Sequence, residues 1–173
     1  MPALIEPTTA LHASWRAAHE EWGPGLHEDG FGLRPSDEVG SDAGFRTWVA
    51  RLTGESAPAG RVDPGATRPT YRWIVEGQTV LGGIALRTGP HDVVQRLGHI
   101  GFGVRPSARR QGVARWALGQ MLTEAAAQGL DQVLLVCERS NTASAATIEA
   151  LGGLLEGGPH AGDQDVRRYR IAV

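Results

Sequence analysis

The sequence contains no lysine: all 17 of its basic side chains are arginine, set against 19 Asp and Glu. That absence excludes a Walker phosphate loop, a Schiff-base lysine and any lysine nucleophile, each of which needs an ammonium or amine side chain. Cysteine is nearly as scarce. Cys137 alone closes no intramolecular disulfide, and without Cys or His at ligand spacing it builds no zinc framework, so no metal is expected; in its apolar strand it reads as a small core residue. Long hydrophobic runs are missing too. Val133 to Cys137 is far too short to span a bilayer, and Met1 to Glu6 has neither a basic nor an apolar signal region, so a soluble, cytoplasmic protein without a membrane partner is expected. A net charge of −2 removes any global electrostatic case for a nucleic-acid partner.

At ~100–200 residues per domain, the chain reads as a single domain, 1–173. A short strand at Ala3 to Glu6 precedes a helix in which Leu11, Trp15, Ala18 and Trp22 recur at near-helical intervals until Gly23-Pro24-Gly25 stops it. Ser41-Asp42 caps a second helix, with Phe45, Trp48, Val49 and Leu52 on one face and Gly54 as its stop. Residues 56–69, rich in Pro and Gly, form a loop. Thr70 to Glu76 and Thr79 to Arg87, parted by Gly77-Gln78, read as a β-hairpin, and His99 to Val104 as a further strand with two glycines that leave its backbone uncovered. A long helix runs from about Arg109 to Gln128, Asp131 to Glu138 is a strand covered on both faces, and Asn141 caps a helix from Thr142 to Leu151. Leu154 to Glu156 and Asp165 to Val173 are closing strands around a loop, 157–162. Helices, an antiparallel meander, then alternating strand and helix make an α/β (α+β) fold with a mixed sheet.

The chemistry concentrates in Val104-Arg105-Pro106-Ser107-Ala108-Arg109-Arg110-Gln111-Gly112-Val113-Ala114. A strand runs into a turn with clustered Arg and a Gly, then into a helix whose first N–H groups and positive dipole end face whatever fills the turn. That is an anion site. Gly inside a helix costs about 1 kcal/mol against Ala, so Gly112 reads as a place where a ligand approaches the backbone. A short Arg cluster without interleaved aromatics favours a small phosphorylated cofactor over nucleic acid.

At these residues the chain resembles the GCN5-related N-acetyltransferases, the GNAT superfamily. Arg109-Arg110-Gln111-Gly112-Val113-Ala114 matches their cofactor motif, Gln/Arg-x-x-Gly-x-Gly/Ala, and Asn141-x-x-Ser144 with Leu151-Gly152-Gly153 looks like their second block. The resemblance is fullest from Thr70 to Val173 and reaches the earlier residues only in helix order. It implies the GNAT fold, a mixed central sheet of about six to seven strands with the fourth and fifth splayed apart, flanked by about four helices. It also implies acetyl-CoA as co-substrate. The backbone of Phe102, Gly103 and Val104 would pair with the pantetheine arm. The N–H groups around Arg110, Gln111, Gly112, Val113 and Ala114 would hold the pyrophosphate with help from Arg109, and Asn141 and Ser144 would touch the far pantetheine or the adenine nucleotide. A homodimer is common in the superfamily.

The implied reaction is N-acetyl transfer, in which an amine attacks the thioester carbonyl directly. An alkyl amine of pKa ~10.4 costs about 4.6 kcal/mol to present as the free base at pH 7, so a general base is the role to find. The candidates are His99, close to where many members carry a glutamate, and Glu138, at the end of the apolar strand; a water chain is the remaining route. The Tyr that many members use to protonate the leaving thiolate falls at Ile148, leaving Tyr71 and Tyr169 as substitutes if the fold brings one near. The superfamily builds its acceptor site from the first helices and their loop. Here that loop holds Glu20, Glu21, Glu28, Asp29, Asp37, Glu38 and Asp42 against Arg34, so the expected partner is a small primary amine, cationic if these acids face it. The missing Tyr also leaves open a different class of function, a non-catalytic acyl-CoA sensor or interaction module on the same fold.

Overall fold

The structure, a computed structural model, describes residues 1–23, 30–56, 68–89, 91–156 and 165–173; the expected loop at 157–162, most of that at 56–69, and Glu28 and Asp29 lie outside them. β1 (Ala3–Ile5), β2 (Arg68–Glu76), β3 (Thr79–Thr88) and β4 (Ile100–Val104) form one sheet in that order, each ladder antiparallel. β5 (Gln132–Glu138), β6 (Leu154–Leu155) and β7 (Val166–Ala172) form a second, ordered β5-β7-β6, also antiparallel. The helices are α1 (His12–Trp22), α2 (Asp42–Ser56), α3 (His91–Leu97), α4 (Val113–Ala127) and α5 (Thr142–Glu149).

Strand alternation sorts these elements into layers. Ile74, Ile84, Leu86, Ile100 and Val104 of the first sheet join Val133, Leu135, Cys137, Tyr169 and Ile171 of the second in one buried cluster beneath α4 and α5. The opposite face of the first sheet buries Tyr71, Trp73, Val75 and Ala85 against Trp15 and Ala18 of α1 and Phe45, Trp48, Val49 and Leu52 of α2. The periodicity that marked these two helices therefore points inward.

Three local details differ from the sequence expectations. α4 begins at Val113 rather than about Arg109, because Arg110 at φ +60° and Gly112 at φ +78° hold the chain in a left-handed conformation that no helix continues. α2 runs through Gly54 to Ser56. α3 is an addition to the about four helices expected. It occupies residues left unassigned in sequence, where Val94 and Leu97 stand one turn apart and Gly98 at φ +77° supplies the stop.

Candidate active site

After β4 the chain makes a short 3-10 turn, Pro106–Ala108, opened by Pro at its first position. Glu21 from α1 fastens this turn: its carboxylate accepts from Arg105 Nε at 2.6 Å, from Ser107 Oγ at 3.0 Å and from the Ser107 N–H. Burial raises the Glu21 pKa, but the Ser107 amide and the Arg105 guanidinium outweigh it and hold the carboxyl below its ordinary value. Arg109 Nε donates to Val104 O at 2.9 Å and Gln111 Nε2 to Ser107 O at 3.0 Å, which folds the loop back on the end of β4. Among the described residues the terminal nitrogens of Arg109 have no acceptor, so they can meet an anion.

Among the described residues, the backbone N–H groups of Arg110 to Arg115 have no protein acceptor; the next amide, of Trp116, donates to Gly112 O at 2.9 Å. These consecutive donors and the helix dipole together form a nest for a multiply charged anion. A Cβ on Gly112 would meet nothing within 4 Å, so the space above the turn is open and the glycine is required by its φ, not by a protein neighbour. This refines the sequence argument, which placed Gly112 inside the helix. The residues fit a diphosphate group.

Among the described residues, backbone hydrogen bonds bridge the two sheets just before β4. Gly98 and Leu135 form an isolated bridge, the His99 N–H donates to Leu134 O at 2.6 Å, and the Leu134 N–H donates to His99 Nδ1 at 2.8 Å. Beyond it β4 and β5 part, and among the described residues the far edge of β4 has no ladder partner. The gap is a cleft of about 630 Å³. Of the residues singled out in sequence it brings together Phe102, Gly103, Val104, Arg109, Ala114, Glu138, Asn141 and Ser144 along its walls. His99, Arg110, Gln111, Gly112 and Val113 do not line it; the last four belong to the amide nest at its mouth. Asn141 and Ser144 also have a local task, since Asn141 Oδ1 accepts from the Ser144 N–H at 3.0 Å and caps α5.

The ionisable groups separate clearly. His99 stands at the apex with Nδ1 occupied by an amide, so its neutral ring carries the proton on Nε2 and has no lone pair left for a substrate. Burial pushes its pKa below the usual value and Arg170 adds to that. It is a clasp between sheets, and it is withdrawn as a base. Glu138 is exposed at the cleft wall. Tyr169 donates to Glu149 at 2.7 Å and Tyr71 to Glu55 at 3.2 Å, both away from the cleft, and Ile148 lines it where the resemblance places a Tyr. Burial pushes the Cys137 thiol up by more than Arg167 and Ser144 pull it down, which suits a wall residue and not a nucleophile.

The expected cationic pocket also changes. Glu20 pairs with Arg16, Glu21 with Arg105, Asp37 with Arg51 and Asp42 with His12, while Glu38 accepts from Gly40 and Ser41. Each described acid of 20–42 thus has a partner within the fold, and none of them lines the cleft. Sequence reasoning also missed Trp22, Arg96 and Leu97 as cleft residues. Arg96 and Leu97 depend on α3, whose shortness hid it.

The sequence profile described as the Acetyltransferase (GNAT) family matches residues 11–152. A comparison with curated protein sequences gives no match. Several solved structures share the fold. The self-immunity acetyltransferase for microcin C7, in complex with acetyl-CoA and AMP, is 13% identical with a TM-score of 0.67, over 99% of this chain and 92% of its own. An acetyl transferase from Salmonella typhimurium that modifies the N-terminal serine of a ribosomal subunit protein is 17% identical with a TM-score of 0.65, over 99% and 95%. A phosphinothricin acetyltransferase from Sinorhizobium meliloti, in complex with acetyl-CoA, is 18% identical with a TM-score of 0.63, over 99% and 88%.

Proposed function

Since the chain belongs to the GNAT acetyltransferases, a family that uses acetyl-CoA, we propose that it transfers the acetyl group to the primary amine of a small molecule by direct attack on the thioester. The observation that carries this reading is the row of amides, Arg110 to Arg115, that have no acceptor among the described residues, at the mouth of a cleft whose wall is the edge of β4 away from β3. The amides and Arg109 would hold the diphosphate, and the edge of β4 at Phe102 to Val104 the pantetheine. Asn141 and Ser144 are placed on the α5 side of the same cleft.

Glu138 is the base this reading assigns. A carboxylate at the cleft wall takes the ammonium proton directly or through one water, the nitrogen bonds to the acetyl carbon and gives up its second proton to water, the carbon–sulfur bond breaks, and the thiolate is protonated from solvent. The last step needs little help, because a thiol of pKa ~8.5 lies only about 2 kcal/mol from neutral pH. Glu138 is the single carboxylate among the described cleft-lining residues.

Acetyl-CoA should raise the melting temperature, and some small amine should then release free CoA thiol. No shift at millimolar acetyl-CoA overturns the reading. Ile148 in the cleft supports a second one, a non-catalytic acyl-CoA sensor, which would show the same shift with no thiol release across a broad amine panel. No helix among the described residues is long and apolar enough to cross a membrane, and residence in the cytoplasm is part of the proposal.

A further inference from the structure

The cleft has a second face, opposite α4 and α5. Register pairs Val136 with Arg168 and Glu138 with Val166, so these side chains stand on the far side of the second sheet from Tyr169, which reaches α5. Arg168 Nη2 donates there to Gln95 O and to Gln95 Oε1 at 2.8 Å, clamping α3 against that side, and Arg168 is itself held by Glu156. A Cβ on Gly98 would lie 2.9 Å from Leu134 O, so only glycine lets the end of α3 press this close to β5. The clamp brings Arg96 and Leu97 to the cleft beside Val136 and Glu138, with Trp22 coming from α1.

On β4 this face carries no side chain at Gly101 and Gly103, which alternate with Ile100, Phe102 and Val104 on the core side. Arg87 of β3 lays its guanidinium over Gly101, with both terminal nitrogens 3.0 Å from where a Cβ would stand. Among the described residues neither Arg87 nor Arg96 has a carboxylate within ion-pair distance, Asp92 one turn before Arg96 included. The described acids of 20–42 are already engaged. Among the described residues, Glu138, the one carboxylate that lines the cleft, therefore shares this side with Arg96 at the cleft and Arg87 beside Gly101, an arrangement complementary to a molecule carrying both an amine and an anion.

We infer that the acceptor is a small amine bearing a carboxylate, an amino acid or a near relative, with Arg96 receiving the carboxylate, Arg87 adding a second positive charge over Gly101, and Glu138 facing the ammonium. The inference rests on the acetyl-transfer reading and names its substrate class. It replaces a purely cationic amine with a zwitterion.

The experiment follows thiol release with acetyl-CoA over the standard amino acids, their amides and the matching decarboxylated amines. At least one acid should be used with kcat/KM tenfold or more above its amide, in line with loss of a charge-assisted pair. Arg96→Gln should close that gap through KM while leaving the acetyl-CoA melting shift intact, Arg96→Lys should restore part of it, and Arg87→Gln should cost less. Equal use of acids and amides, or turnover confined to amines without a carboxylate, overturns the inference and leaves the acetyl-transfer reading standing. An acetyl-CoA shift with no turnover of any amine overturns both.

Discussion

The two faces of the cleft are made of different material. The face toward α4 and α5 is backbone: a run of amides, the free edge of β4 and a capped helix start, all drawn from residues 102–115 and 141–144. The opposite face is side chain: Trp22 from α1, Arg96 and Leu97 from α3 and Glu138 from β5, with Arg87 of β3 beside Gly101. A backbone site is fixed by dihedral angles, so it tolerates exchange of most side chains and fails where a residue cannot adopt the angle. A side-chain site is fixed by packing between distant segments, so it fails when a helix shifts and changes its preference when one side chain is replaced.

The harshest way to break this contrast is Gly112→Glu. At φ +78° the new residue is strained, and it sets a negative charge in the amide nest, yet its Cβ meets no neighbour within 4 Å and the fold should survive. Acetyl-CoA affinity should fall by at least ~100-fold, read as loss of the melting shift, since the anion then faces like charge and a distorted nest. An unchanged shift would show that the phosphates bind elsewhere. Glu138→Gln attacks the other face. It should leave the shift intact and lower kcat/KM for the best amine by about 100-fold, the scale of a lost general base; a loss under about fivefold assigns the proton to solvent.

Gly98→Ala sharpens the packing side of the contrast. Strain at φ +77° and a Cβ 2.9 Å from Leu134 O should cost about 1–3 kcal/mol of stability and push α3 off β5. Acceptor KM should rise while the acetyl-CoA shift persists. If both change together, α3 does not belong to the acceptor face alone.

The same contrast explains what could be read from the chain. The amide nest lies in one short stretch whose Arg, Gly and helix start announce their own conformation, and the aromatic faces of α1 and α2 follow from periodicity. Ion pairs carry no such local mark. Glu21 and Arg105 lie 84 residues apart, so nothing in the acidic run from 20 to 42 reveals that the charges of its described acids are consumed within the fold. α3 is short and its Leu97 stays 45% exposed, which removes most of the apolar stripe that would have announced it. The sequence sets His99 near the right strand end, but its partner is an amide on β5, and only tertiary pairing turns a candidate base into a clasp.

That clasp sets the smallest effect. Folded His99 is held neutral by burial and Arg170, so its pKa lies below the unfolded value of ~6.5 and the unfolded chain binds the extra proton. Its contribution is therefore fully present above pH ~6.5 and is lost as pH falls from there through the folded pKa. One amide–imidazole hydrogen bond is worth about 1 kcal/mol, or about 2–4 °C in Tm for a chain of this size. Asn offers an acceptor near the position of Nδ1 without titrating, so His99→Asn should flatten this part of the Tm-against-pH curve while holding the neutral-pH value. His99→Phe, which removes the acceptor, should lower Tm above pH 7. Turnover should stay within about threefold for His99→Asn, far from the 100-fold or greater loss expected of a base. A loss on that larger scale, with Tm unchanged, would return His99 to the chemistry and dissolve the division between a backbone face that binds and a side-chain face that reacts.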